Sequence, residues 1–132
     1  MGAWGTGIFD NDDAMDWIGL MIENGDIEQL REGVNKIIVS NQYLQSPDCC
    51  RALASAEIIA AIKNKDYSFL PDLAKQWILT FDIAINPKII YSAQEAIQMV
   101  KEDSELKDLW AKSNNLNEWI KVVQDLEDRL KK

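Results

Sequence analysis

Residues 49–62, CCRALASAEIIAAI, constrain the fold more than any other stretch of this chain. At helical spacing they are apolar on nearly every side, with Arg51 and Glu57 the only charged members. A helix that is apolar all round is stable in water only when other elements cover it completely. Its alanines allow those neighbours to come close. Ser46-Pro47 just before it reads as an N-cap followed by proline at the first helical position. The helix is therefore expected over residues 48–64, at the centre of the molecule.

The remaining elements supply the cover. Ala14, Trp17, Ile18, Met21 and Ile22 recur at helical spacing, with Asp10 or Asn11 as cap and Gly25 as terminator. Asp26 and Gln29 form a capping-box pattern ahead of Ile27, Leu30, Val34, Ile37 and Ile38. Pro71 opens a fourth helix with Leu73, Ala74, Trp77, Ile78 and Phe81 inside, and Asn86-Pro87 is expected to stop it. Ser92 with Glu95 sets a fifth helix starting near Ala93 and burying Ala96, Ile97 and Val100. Ser104 caps a short sixth helix through Leu106, Leu109 and Trp110. Asn115 with Glu118 opens the last, with Leu116, Trp119, Ile120, Val123, Leu126 and Leu130 on one face and Lys131 and Lys132 at its negative end. Only residues 88–91 approach a strand pattern, and they are too few to form one. The fold class expected is all-α: a single compact domain over residues 1–132, with six or seven helices and an irregular glycine-rich N-terminal arm.

Charge narrows the partners. The 132 residues carry 22 acidic and 14 basic side chains, net −8. The asymmetry lies in the first half, where residues 1–66 hold 11 acids and 5 bases. Such a surface repels phosphate backbones and anionic membranes, which argues against nucleic acid and against membrane binding, and it favours a basic protein partner. No apolar run reaches the length of a membrane span and no signal-peptide pattern opens the chain. Gly2 with Thr6 fits the myristoylation pattern, but no basic patch accompanies it. Adjacent Cys49 and Cys50 cannot form a relaxed disulfide, which suits a cytoplasmic chain, and they read as small buried residues. Histidine is absent. That removes the commonest general base and metal ligand, and leaves no nucleophile–base arrangement in view.

The first 17 residues, MGAWGTGIFDNDDAMDW, are the unusual element. Glycines at 2, 5 and 7 disfavour helix and allow an arm to lie against the body, with Trp4 and Phe9 expected to plug it down. Asp12 and Asp16 stand one helical turn apart, and Asp13 neighbours Asp16. These carboxylates, with Asp10 before them, have three readings: helix caps and a solvated face, oxygen ligands for a divalent metal (Asp12, Asp13 and Asp16), or acceptors for backbone N–H groups of the arm. A phosphate cradle is disfavoured by the same negative charges. Glu57 is the only acid between Asp48 and Asp66, within the nearly apolar part of the central helix. It is expected to reach solvent by default, and otherwise Arg51 or an N–H of the arm. If buried, it is the carboxyl with the most to gain from a partner. The candidate functional cluster is thus Trp4, Asp10, Asn11, Asp12, Asp13, Asp16, Trp17 and Glu57. No cofactor-binding motif is present.

This opening resembles that of the family called domain of unknown function 4259, small and mainly bacterial proteins that begin MGAWG and continue through NDDA to DW. The resemblance extends along the whole chain, through the cap Asp26 with the second helix, Ala54-Ser55-Ala56-Glu57, Ser104-Glu105-Leu106 with Leu109-Trp110, and the closing Trp119 with Asp125-Leu126 and Arg129-Leu130. It implies one all-helical domain in a bacterial cytoplasm and brings no activity with it. The functional expectation is a non-enzymatic binding domain, in one version an immunity-like inhibitor of a basic partner. The alternative is a carboxylate-based metal-binding protein or metal-dependent hydrolase using the aspartates between positions 10 and 16.

Overall fold

A computed structural model describes residues 3–80 and 84–131. The expectations for Gly2, Phe81 and Lys132 fall outside those residues. Seven helices are formed among them: α1 (Asp12–Asn24), α2 (Gln29–Ile38), α3 (Ser46–Asn64), α4 (Asp72–Ile78), α5 (Pro87–Glu102), α6 (Glu105–Ala111) and α7 (Leu116–Lys131). Helix α3 is the axis. Every residue from Ala52 to Ile62 is buried, and α1, α2, α5, α6 and α7 all pack on it. Its alanines and serine face these neighbours, and Ile58 and Ile59 are wholly enclosed. The small helix α4 stands apart and rests mainly on α1.

The junctions are made by identifiable groups. Asn11 is the α1 cap, its Oδ1 accepting the Ala14 N–H at 2.8 Å. Gly25, at φ 63°, takes the left-handed position that ends the helix. Ser104 accepts the Lys107 N–H at 3.0 Å and starts α6 as expected. One close approach depends on Gly33 in α2. A Cβ there would lie 2.4 Å from the Ser55 hydroxyl, which itself accepts the Trp17 indole N–H at 2.8 Å. Three helices meet at that point because one has no side chain.

Several boundaries differ from the sequence pattern, and each has a physical cause. Asp26 makes no capping box. Its carboxylate accepts the Glu28 N–H at 3.0 Å in a tight turn, while buried Gln29 donates to the Trp17 carbonyl at 2.7 Å. Ser46 is the first residue of α3 rather than its cap. The Ser46 N–H donates to Glu105 Oε1 at 2.7 Å, and the Glu105 N–H donates to the Leu44 carbonyl at 2.8 Å, so α6 caps α3 from a distance. Helix α4 ends at Ile78, well before Asn86-Pro87. That pair instead begins α5: Asn86 Oδ1 accepts the Lys88 N–H at 2.9 Å, and residues 88–91, which carry the nearest strand-like pattern, are helical. Ser92 lies inside α5. Leu73, expected in the core, is 55% exposed.

Candidate functional site

The N-terminal arm is a closed loop built around one carboxylate. Ala3 bridges antiparallel to Asn11, and the Trp4 N–H donates to the Asp10 carbonyl at 2.9 Å. The Asp10 N–H donates to the Gly7 carbonyl at 3.1 Å, and Asp10 Oδ2 accepts the Gly7 N–H at 3.0 Å. Two glycines make this possible. A Cβ on Gly5 or Gly7 would fall 2.6 or 2.5 Å from Asp10 Oδ2. Of the three readings of the aspartates, Asp10 therefore follows the third and receives a backbone N–H of the arm.

The arm is held down differently from expectation. Ile8 and Phe9 are buried, but Trp4 is 62% exposed and plugs nothing. Its main-chain N–H is tied to Asp10 while its ring is left in solvent. Trp17 is half-buried over Ser55, with the Arg51 guanidinium 6.0 Å from its ring centroid.

Asp12 and Asp16 are exposed and Asp13 is half-buried at the start of α1. Among the described residues no three Asp, Glu or Cys side chains gather as a metal ion would require. Asp13 lies close enough to Cys50 to raise its thiol, although burial is the larger cause. Burial pushes Cys49 to about 12 and Cys50 to about 11, and both are free thiols.

Asp10 and Glu57 do come together, at a cavity of about 650 Å³ between the arm, α1, the α3–α4 loop and α7. Ile8, Phe9, Met15, Leu70 and Val122 form its apolar walls, with half-exposed Phe69 also lining it. Its charged groups are Asp10, Glu57, Lys121, Asp125 and Arg129. Glu57 reaches neither solvent nor Arg51. It is 2% exposed and pairs with Arg129 of α7 through both carboxylate oxygens, Nη1 to Oε1 and Nη2 to Oε2, the latter at 3.0 Å. Arg129 Nε donates to Asp125 at 2.8 Å, and its guanidinium lies 3.8 Å from the Phe69 ring centroid. Burial pushes the Glu57 carboxyl above its ordinary value, with the Arg129 hydrogen bonds pulling back. Arg129 is raised, its carboxylate partners outweighing desolvation.

Arg129 and Asp125 were absent from the sequence-level candidates. Their spacing of one helical turn was readable, but a partner 72 positions from Glu57 has no local signature. Glu127 was missed as well. It is buried on α7, where Lys101 Nζ donates to it at 2.7 Å and Lys131 Nζ at 3.1 Å.

The fold and cavity define a small all-helical domain with a mixed apolar and charged recess. The chain belongs to the family described as domain of unknown function (DUF4259), whose profile matches residues 2–122. That span includes the arm, Glu57, Lys121 and Val122, while Asp125 and Arg129 lie beyond it. No curated protein and no solved structure matches the chain.

Proposed function

We propose that this chain is a non-enzymatic binding domain, and that the cavity between the arm and α7 is where it engages a partner. The observation carrying this reading is the state of the groups around the recess. Glu57, Asp125 and Arg129 hold one another in a fixed network, so they shape a floor and are poorly placed to exchange protons with a substrate. The apolar walls, by contrast, line a volume of about 650 Å³, which suits recognition of a side-chain cluster or small ligand. The excess of acid in the first half of the chain supports a basic protein as partner, since opposite charge speeds encounter. An immunity-like role, masking a basic protein, is one form this takes.

Affinity capture from the source cells, with wild type beside Val122→Trp, tests the reading. Val122 lines the recess, and an indole there fills it. A basic protein retained by wild type and lost by the folded variant is the expected result. Equal retention by both, or no retained protein, would reject the cavity as the binding site.

A further inference from the structure

The charges around the cavity are unequal, and the imbalance points to the chemistry of its occupant. Glu57 and Arg129 neutralise each other on the floor. Asp125 gives one oxygen to Arg129 Nε and remains 56% exposed. Asp10 gives Oδ2 to the Gly7 N–H and has no cationic partner among the described residues. The opposing charge is Lys121, also without an ion pair among the described residues, which stands one helical turn before Asp125 on α7. Two carboxylates facing one ammonium leave the mouth net negative. The acidic first half of the chain adds a field of the same sign. Beside these charges lie the apolar side chains of Phe9, Met15 and Val122.

We propose that the cavity takes a basic–apolar peptide segment, an aromatic or aliphatic side chain seated on Phe9, Met15 and Val122 with a flanking lysine or arginine held by Asp10 and Asp125. This deepens the binding role argued above and rests on it. The glycine loop then acquires a purpose beyond local fit. By fixing Oδ2 with the Gly7 N–H, it aims the carboxylate and leaves Oδ1 for the guest.

The test uses two acetylated, amidated pentapeptides, Gly-Lys-Phe-Lys-Gly and Gly-Glu-Phe-Glu-Gly, titrated into the isotopically labelled full chain. The basic peptide is expected to shift amide resonances of residues 7–10 and 121–125, with the acidic one at least about tenfold weaker. Asp10→Asn keeps an oxygen for the Gly7 N–H while removing the charge, and should weaken the basic peptide about five- to tenfold, the scale of one net hydrogen bond at a partly exposed site. Asp125→Asn provides a second reading should Asp10→Asn disturb the arm. Equal or tighter binding of the acidic peptide at the same residues would overturn the cation preference while leaving the cavity as a binding site. Absence of binding by the basic peptide, or binding only elsewhere, would overturn the inference. The broader reading falls with it only if Val122→Trp also leaves partner capture unchanged.

Discussion

A single arginine holds the floor of the cavity. Arg129 satisfies buried Glu57 through two hydrogen bonds and ties Asp125 with a third. Removing it strands a carboxylate that is 2% exposed, and such breakage costs about 3–5 kcal/mol. Arg129→Ala is therefore expected to lower the urea midpoint steeply. Adding Glu57→Leu to it should recover part of the loss, and a double-mutant cycle showing simple additivity would contradict the pairing. Glu127 makes a second test at this scale, through pH. Its carboxyl is held below the ordinary 4.5, because the hydrogen bonds from Lys101 and Lys131 outweigh the desolvation that pushes it up. A folded-state value below the unfolded one gives stability that is present above about pH 4.5 and lost as pH falls through the folded value. Glu127→Gln should cost about 1.5–3 kcal/mol at pH 7 and progressively less in acid, as read from denaturation curves across pH. Neither partnership was legible beforehand. Glu127 looks in the sequence like any exposed glutamate on a helix, and Glu57, though marked by its apolar neighbours, shows no sign of which cation would meet it. What distinguishes them is the arrival of a cation from a different helix, a fact of packing with no local pattern.

At the level of the elements, helical periodicity carried most of the information. The stripes of α1, α2, α6 and α7 bury most of the residues their spacing selects and leave Trp17, Ile22, Ile38, Leu109, Leu116 and Ile120 half-buried. It failed where a tertiary group replaced a local one. The start of α3 is satisfied by Glu105 from α6, which no reading of Ser46-Pro47 could reveal. The start of α5 was obscured because Asn86-Pro87 serves equally as a stop and as a cap with proline at the first helical position. The arm shows the same division. Its glycines were readable as permissive, but which of its large residues is buried depended on the surface beneath. Phe9 is enclosed and Trp4 is not, which separates their expected costs. Phe9→Ala should destabilise by about 3–5 kcal/mol. Trp4→Ala should stay within about 0.5 kcal/mol, as an exposed side chain does. Thermal or urea denaturation of both variants checks the contrast, and a large loss for Trp4→Ala would mean that its ring is docked. Gly7→Ala belongs to this set too. Its methyl must displace the Asp10 carboxylate, so the loop should loosen by about 1–3 kcal/mol.

For the whole molecule, an all-α class with an enclosed central helix followed from composition and spacing, and the structure carries it in seven helices among the described residues. No described helix is long and apolar enough to cross a membrane. The candidate cluster fared less evenly. Asp10 and Glu57 share a cavity, Asp12, Asp13 and Asp16 lie apart from it, and Asn11 and Trp17 serve a cap and an interhelical hydrogen bond. Sequence proximity had grouped residues that the turn of α1 then distributed to different sides.

The loose attachment of α4 has a consequence for how the recess is reached. Five helices lean on α3, so opening any of them uncovers much of the core, whereas α4 rests mainly on α1 and adds only Ala74 and Ile78 to the core. The loop that leads into α4 contributes Phe69, Leu70 and Pro71 to the cavity wall. That wall is expected to open at less free energy than global unfolding, in the manner of a locally cooperative unit. Native-state hydrogen exchange should find the amides of α4 opening well before those of residues 52–62, and a saturating guest in the recess should slow the first set selectively. Uniform exchange across both would mean that entry and unfolding are one event.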